Sequence, residues 1–257
     1  DTLVAIDAAT GKHRWRQAHP STGGMEVAGH AGATVYRDKT YTAFSDGRVM
    51  AFRKSDGAPM WDARLTDVVE QTRAELSYWD VDTTPVVAVV DGEPLVFAAS
   101  YEGGVFALGA DSGMQRWHND GATGVTELIV WEGPSRQAPK DRKAVIHQRV
   151  IASSGLTGVW SLSTKDGAEQ WRRSLPAGGV TRAVPWQGAL LFGTTRYGMF
   201  LVQPLDGGVL DGVHSGGAFA GAPATYGMQS FILSSAGTLW AFEIQPPRRA
   251  AASPSGS

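Results

Sequence analysis

The chain has no cysteine among its 257 residues, which excludes both a disulfide framework and a thiolate metal site. No run of about 18 apolar residues appears, so no helical membrane span is predicted. The opening residues Asp1 to Asp7 lack a basic start and a cleavage site, and any export signal is expected upstream or already removed. Net charge is only −2, with a pI near 6.3, so there is no basic field to attract a nucleic-acid backbone or an anionic membrane surface. The histidines His13, His19, His30, His118, His147 and His214 are scattered without the paired spacing of a metal site. Neither a Gly-x-Ser-x-Gly elbow nor a phosphate-binding glycine loop occurs.

Glycine and tryptophan, by contrast, are abundant, with 32 and nine copies. Many tight turns combined with large packing wedges point to repeated β-structure. The repeat can be read directly. Val4-Ala5-Ile6-Asp7 runs on to Gly11 and Trp15, and Met50-Ala51-Phe52 to Gly57 and Trp61. Phe106-Ala107-Leu108 leads to Gly113 and Trp117, and Trp160-Ser161-Leu162 to Gly167 and Trp171. Glycine and tryptophan are four apart each time. A fifth copy, Phe200-Leu201-Val202 to Asp206-Gly207, lacks the tryptophan, and a sixth, Leu239 to Phe242, stops before one.

The tryptophans are 46, 56 and 54 residues apart, matching the roughly 40 to 50 residues of a propeller blade. Each unit reads as four strands, with Asp-Gly pairs at 56-57, 166-167 and 206-207 supplying the positive φ of a hairpin turn. The expected fold is an all-β propeller of four-stranded antiparallel blades. About four blades are complete (21–65, 66–120, 121–175 and 176–216), with partial blades at 1–20 and 217–245, from a ring of seven or eight. The tail 246–257, rich in Pro, Ala and Ser, is expected to be disordered. A residue at one fixed place in every repeat serves a need that every repeat has, so the tryptophans are expected to wedge between neighbouring blades.

Other features stand outside the repeat. Asp80 and Asp82, two apart in an extended segment, would carry carboxylates on one side about 7 Å apart, with Val81 pointing the other way. Such a pair could serve a glycosidase, accept backbone N–H bonds in the loop, or dock a partner. No sugar platform or third polar group can be placed beside them from sequence. Tyr78 and Trp79 would add aromatic area of the kind that anchors interfaces. The stretch 66–79 is long for a connection and is compatible with a short helix on the ring or a partner contact. The insertion 133–143, with Arg136, Lys140, Asp141, Arg142 and Lys143, reads as a solvated hairpin tip.

The segment from Ala5 through Thr10-Gly11 to Trp15 resembles the repeat of the pyrroloquinoline-quinone-type propellers. That superfamily holds dehydrogenases as well as proteins that bind no cofactor. Trp79-Asp80-Val81-Asp82-Thr83-Thr84-Pro85-Val86-Val87, followed by Phe97 to Leu108, resembles the B subunit family of the bacterial β-barrel assembly machinery, lipoproteins of the outer membrane that face the periplasm. The resemblance covers nearly the whole chain and starts partway through the family's length, which implies two or more further blades upstream. It implies a non-catalytic scaffold without cofactor, lipid-anchored through a segment not in this sequence. Its partners would be the periplasmic domains of the pore-forming subunit and nascent outer-membrane proteins. In the family an aspartate string and an upstream Leu-x-Leu-Arg segment make that contact. They carry over to Asp80 and Asp82 and to Met25 and Val27, while Ala28 stands in place of the arginine.

Two other functions compete. A quinone-dependent dehydrogenase of the superfamily would need two adjacent cysteines and a calcium held by Glu, Asn and Asp, but cysteine is absent and Asn119 is the only asparagine. The remaining alternative is a ligand-sensing propeller domain of a larger receptor.

Overall fold

The computed structural model describes residues 2–19, 31–65, 81, 83–134, 145–214 and 216–244. These residues form 21 strands and no helix. A two-stranded sheet, β1 (Thr2–Ile6) and β2 (His13–Ala18), comes first. The second sheet contains β3 (Thr34–Tyr36), β4 (Lys39–Ala43), β5 (Arg48–Arg53) and β6 (Pro59–Arg64). The third is made of β7 (Val86–Val90), β8 (Glu93–Ser100), β9 (Gly104–Gly109) and β10 (Gln115–Asn119). The fourth holds β11 (Val125–Pro134), β12 (Ile146–Ser154), β13 (Gly158–Ser163) and β14 (Glu169–Arg173). The fifth comprises β15 (Val184–Trp186), β16 (Ala189–Gly193), β17 (Met199–Val202) and β18 (Val209–Val213), and β19 (Ala224–Tyr226), β20 (Gln229–Leu233) and β21 (Leu239–Glu243) make a three-stranded last sheet.

Every sheet is an antiparallel meander in chain order, and the first strands of the second and third, third and fourth, and fifth and sixth sheets approach one another. This is the architecture of a β-propeller, with four complete blades between two partial ones. Among the described residues no strand pairing joins the first sheet to the last.

The core lies between the blades. Strand β8 shows why: Phe97 and Ala99 pack toward the fourth sheet with Val150, Ala152 and Leu162. Val96 and Ala98 pack toward the second sheet with Tyr41, Val49 and Ala51. Both faces are covered, so the strand is a continuous apolar run and the alternation expected of a one-sided sheet is lost. Similar clusters join the fourth sheet to the fifth and the fifth to the sixth.

Each repeat tryptophan reaches across a seam. The indole of Trp15 donates from Nε1 to the Lys54 carbonyl at 2.9 Å, Trp61 to Ala110 at 2.9 Å, Trp117 to Thr164 at 2.9 Å, and Trp171 to Pro204 at 2.8 Å. Three residues beyond each acceptor stands the glycine of the next blade's turn. A Cβ on Gly57, Gly113, Gly167 or Gly207 would meet the facing indole at 2.6, 2.8, 2.5 or 2.7 Å. The turns are longer than a two-residue hairpin. Gly57 N–H bonds to Arg53 O and Gly167 N–H to Ser163 O, four residues back, and only the glycine has positive φ. A bulge in the third-to-fourth strand pairing follows in every such sheet.

Where the fifth repeat has Asp211 in place of tryptophan, the seam is made differently. Trp186 Nε1 and Gln187 Nε2 both donate to Gly227 O, at 3.1 and 2.8 Å, and Phe219 is fully buried between the sheets.

Candidate docking face

Two connections carry the expected partner-binding residues, one from β2 to β3 and one from β6 to β7. Met25, Val27, Tyr78, Trp79, Asp80 and Asp82 lie outside the described residues, as do 66–80 as a whole and most of the 133–143 insertion. Of the latter, Gly133 and Pro134 belong to β11, and Pro134 pairs with Ile146 across the hairpin.

The residues bordering these segments are described, and they are held closely. Val81 is 1% exposed and joins the cluster of Tyr41, Val49, Leu65 and Phe106. The Thr83 hydroxyl accepts from Ala99 N at 2.9 Å and donates to Ala99 O at 3.1 Å, pinning the chain to the end of β8. Pro85 forces Thr84 into an extended conformation, and this aims Thr84 at the preceding blade. There Thr84 Oγ1 accepts from Gly32 N at 2.8 Å, and Thr34 Oγ1 donates to Pro85 O at 2.6 Å. Gly32 is needed for the approach, since a Cβ there would lie 2.7 Å from Thr84 Oγ1. Thr42 Oγ1 donates to Gly32 O at 3.2 Å. Segments 51 and 52 residues apart in sequence are therefore stitched together across the second and third sheets.

Sequence reasoning missed a polar cluster that joins the first sheet to the second. His19 Nε2 lies 2.7 Å from Asp46 Oδ2, and Arg48 Nε is 3.2 Å from the same oxygen. Arg48 also pairs with Asp62. Asp46 is buried, so its carboxylate ties the end of β2 to the β4–β5 turn. The only sequence signal was its Asp-Gly turn. In the core between the second and third sheets, Tyr41 donates its hydroxyl to Ala110 O at 3.1 Å, and burial pushes its pKa up to about 12. At the start of β11, burial also raises the Glu127 carboxyl despite the opposing Arg182 charge.

Asn119 is committed to structure. Its side-chain oxygen accepts from Gly121 N and Ala122 N, and its Nδ2 donates to Gly167 O at 2.8 Å. Among the described residues no group of three or more His, Asp or Glu could hold a metal ion. Asn119, the sequence's single asparagine, is therefore engaged by backbone groups.

Comparison with known proteins places the architecture. The family model described as outer membrane protein assembly factor BamB matches residues 1–158. The chain belongs to the BamB family. It is 26% identical over 242 residues to the outer membrane protein assembly factor BamB of Yersinia pestis, covering 93% of this chain and 56% of that protein. The chain thus spans about half the length of the curated BamB it matches. Among solved structures, the computationally designed protein Ika8 aligns over 95% of this chain and 65% of its own, at a TM-score of 0.64 and 14% identity. Quinohemoprotein alcohol dehydrogenase from Comamonas testosteroni aligns over 83% of this chain and 40% of its own, at a TM-score of 0.55 and 14% identity. At such identities these likenesses show the fold, and BamB family membership rests on the sequence match.

Proposed function

We propose that this chain is a non-catalytic scaffold of outer-membrane β-barrel assembly, working at the periplasmic face of the outer membrane. In this reading Asp80 and Asp82, with Met25, Val27, Tyr78 and Trp79, dock onto the periplasmic domains of the pore-forming subunit and so assist insertion of barrel proteins. One observation carries it: the borders of the two segments are joined by the Gly32–Thr84 and Thr34–Pro85 hydrogen bonds. Burial of Val81 adds support, because it anchors the chain to the core at the residue that separates Asp80 from Asp82 in sequence. A rigid ring presents such loops at low entropic cost on binding. Family membership supplies the partner class. Full-length members would carry the lipid anchor outside this sequence.

The test is co-purification of the pore subunit's periplasmic domains with the Asp80→Arg, Asp82→Arg double variant. Loss of capture with an unchanged circular-dichroism spectrum is expected. Capture equal to wild type would overturn the docking assignment.

A further inference from the structure

Away from the docking face, at the opposite ends of the strands, a cleft of about 380 Å³ opens between the third and fourth sheets. Its walls are the β7–β8 turn, the start of β12 and the β13–β14 turn, so it spans a blade seam. Lys165 Nζ bridges that seam to Asp91 Oδ2 at 2.7 Å. Among the described residues Asp91 is the one acidic group lining the cleft and is thereby engaged, while Arg149 and His147 line the same space.

Arg149 is the unusual member. Of the five N–H donors of a guanidinium, one bonds to Gln148 O at 2.9 Å. Its Nε is buried with no hydrogen-bond partner. Burial lowers its pKa with no anion acting in the other direction, the signature of a charge that lacks its counter-ion. Beside it, Val145 and Ile146 are 63% and 55% exposed and form an apolar ledge. A cationic fork next to an apolar ledge matches a carboxylate with an apolar side chain beside it, and a fork of this kind recognises carboxylates bidentately.

We propose that this cleft binds the carboxylate of a peptide, Arg149 taking the charge, Lys165 reinforcing it, and Val145 with Ile146 receiving a neighbouring apolar side chain. The carboxylate can come from a chain terminus or from an acidic side chain. The site is independent of the docking face, and its test does not involve the pore subunit.

The probe is a fluorescein-labelled peptide of alternating valine and threonine with a free C-terminal carboxylate, followed by fluorescence anisotropy against the whole chain. Two companions separate the sources: the same peptide C-terminally amidated, and the amidated peptide with one internal glutamate. Saturable binding of a carboxylate-bearing peptide is expected, weakened on the order of tenfold or more by Arg149→Met and reduced by added salt. If only the free-terminus peptide binds, the source is a chain end; if the glutamate peptide also binds, it is an acidic side chain as well. Lys165→Met, at an exposed position, keeps the test open should Arg149→Met fail to fold, and is expected to weaken binding several-fold. Absence of saturable binding by both carboxylate peptides, or equal affinity of wild type and a folded variant, would overturn the proposal.

Discussion

Gly11 and Gly167 occupy the same place in their repeats and have nearly the same backbone, with φ of 69° and 72°. What surrounds them differs. A Cβ on Gly167 would lie 2.5 Å from Trp117 Cε3, whereas one on Gly11 would meet nothing within 4 Å. Alanine at either site pays for positive φ, about 1–2 kcal/mol. At Gly167 it must also displace a buried indole whose Nε1 is tied to Thr164 O, and forcing a methyl into such packing costs a further ~1–3 kcal/mol. The expected losses are therefore about 1–2 kcal/mol for Gly11→Ala and about 2–5 kcal/mol for Gly167→Ala. Urea unfolding followed by tryptophan fluorescence measures the difference as a shift in midpoint at constant slope. Equal midpoints for the two variants would refute the idea that the glycine exists to admit the tryptophan, leaving φ as its sole requirement.

Three further outcomes are expected. Trp117→Phe removes the donor to Thr164 O and part of a buried ring, and should lower stability by about 2–4 kcal/mol in the same assay. For Tyr41, the folded-state pKa of about 12 lies above the ordinary 10.0, so the neutral phenol's contribution is full below pH 10 and lost as pH rises through 12. That loss is about 2–3 kcal/mol; Tyr41→Phe should be less stable at neutral pH but have a flatter urea midpoint between pH 10 and 12, and an identical pH dependence would contradict the buried-phenol account. Glu127→Gln should raise stability at pH 7, because the buried carboxyl's raised pKa makes its charged form unfavourable; the gain should vanish on acidification below the ordinary carboxylate range, as read from thermal unfolding against pH.

Much of the fold was legible in the sequence because a propeller repeats one solution. Four of the repeats close a turn with a positive-φ glycine and place an indole four residues later, so Gly11/Trp15, Gly57/Trp61, Gly113/Trp117 and Gly167/Trp171 recur at one local spacing. Local spacing survives in a sequence. The partner of each indole does not: Trp15 meets Gly57 and Trp117 meets Gly167, at separations that vary with loop length. The seam between the fifth and sixth sheets was hidden for the same reason, since Trp186 and Gln187 reach Gly227 without any repeated motif. Asp46 read as a turn residue until its contacts with His19 and Arg48 were seen.

The candidate docking residues came from a family string, and their own positions lie outside the described residues. What the tertiary structure added is that their borders meet, through Thr84 and Gly32. The cleft around Arg149 had no sequence signal at all, because its charge comes from β12 and the β13–β14 turn while its opposite wall comes from another blade. Sequence alone determined the repeat, the blade architecture and the family, all properties of neighbours along the chain. Which surfaces face each other, and which charges are left without a counter-ion, was decided by packing between blades, where residues tens of positions apart share one desolvated space.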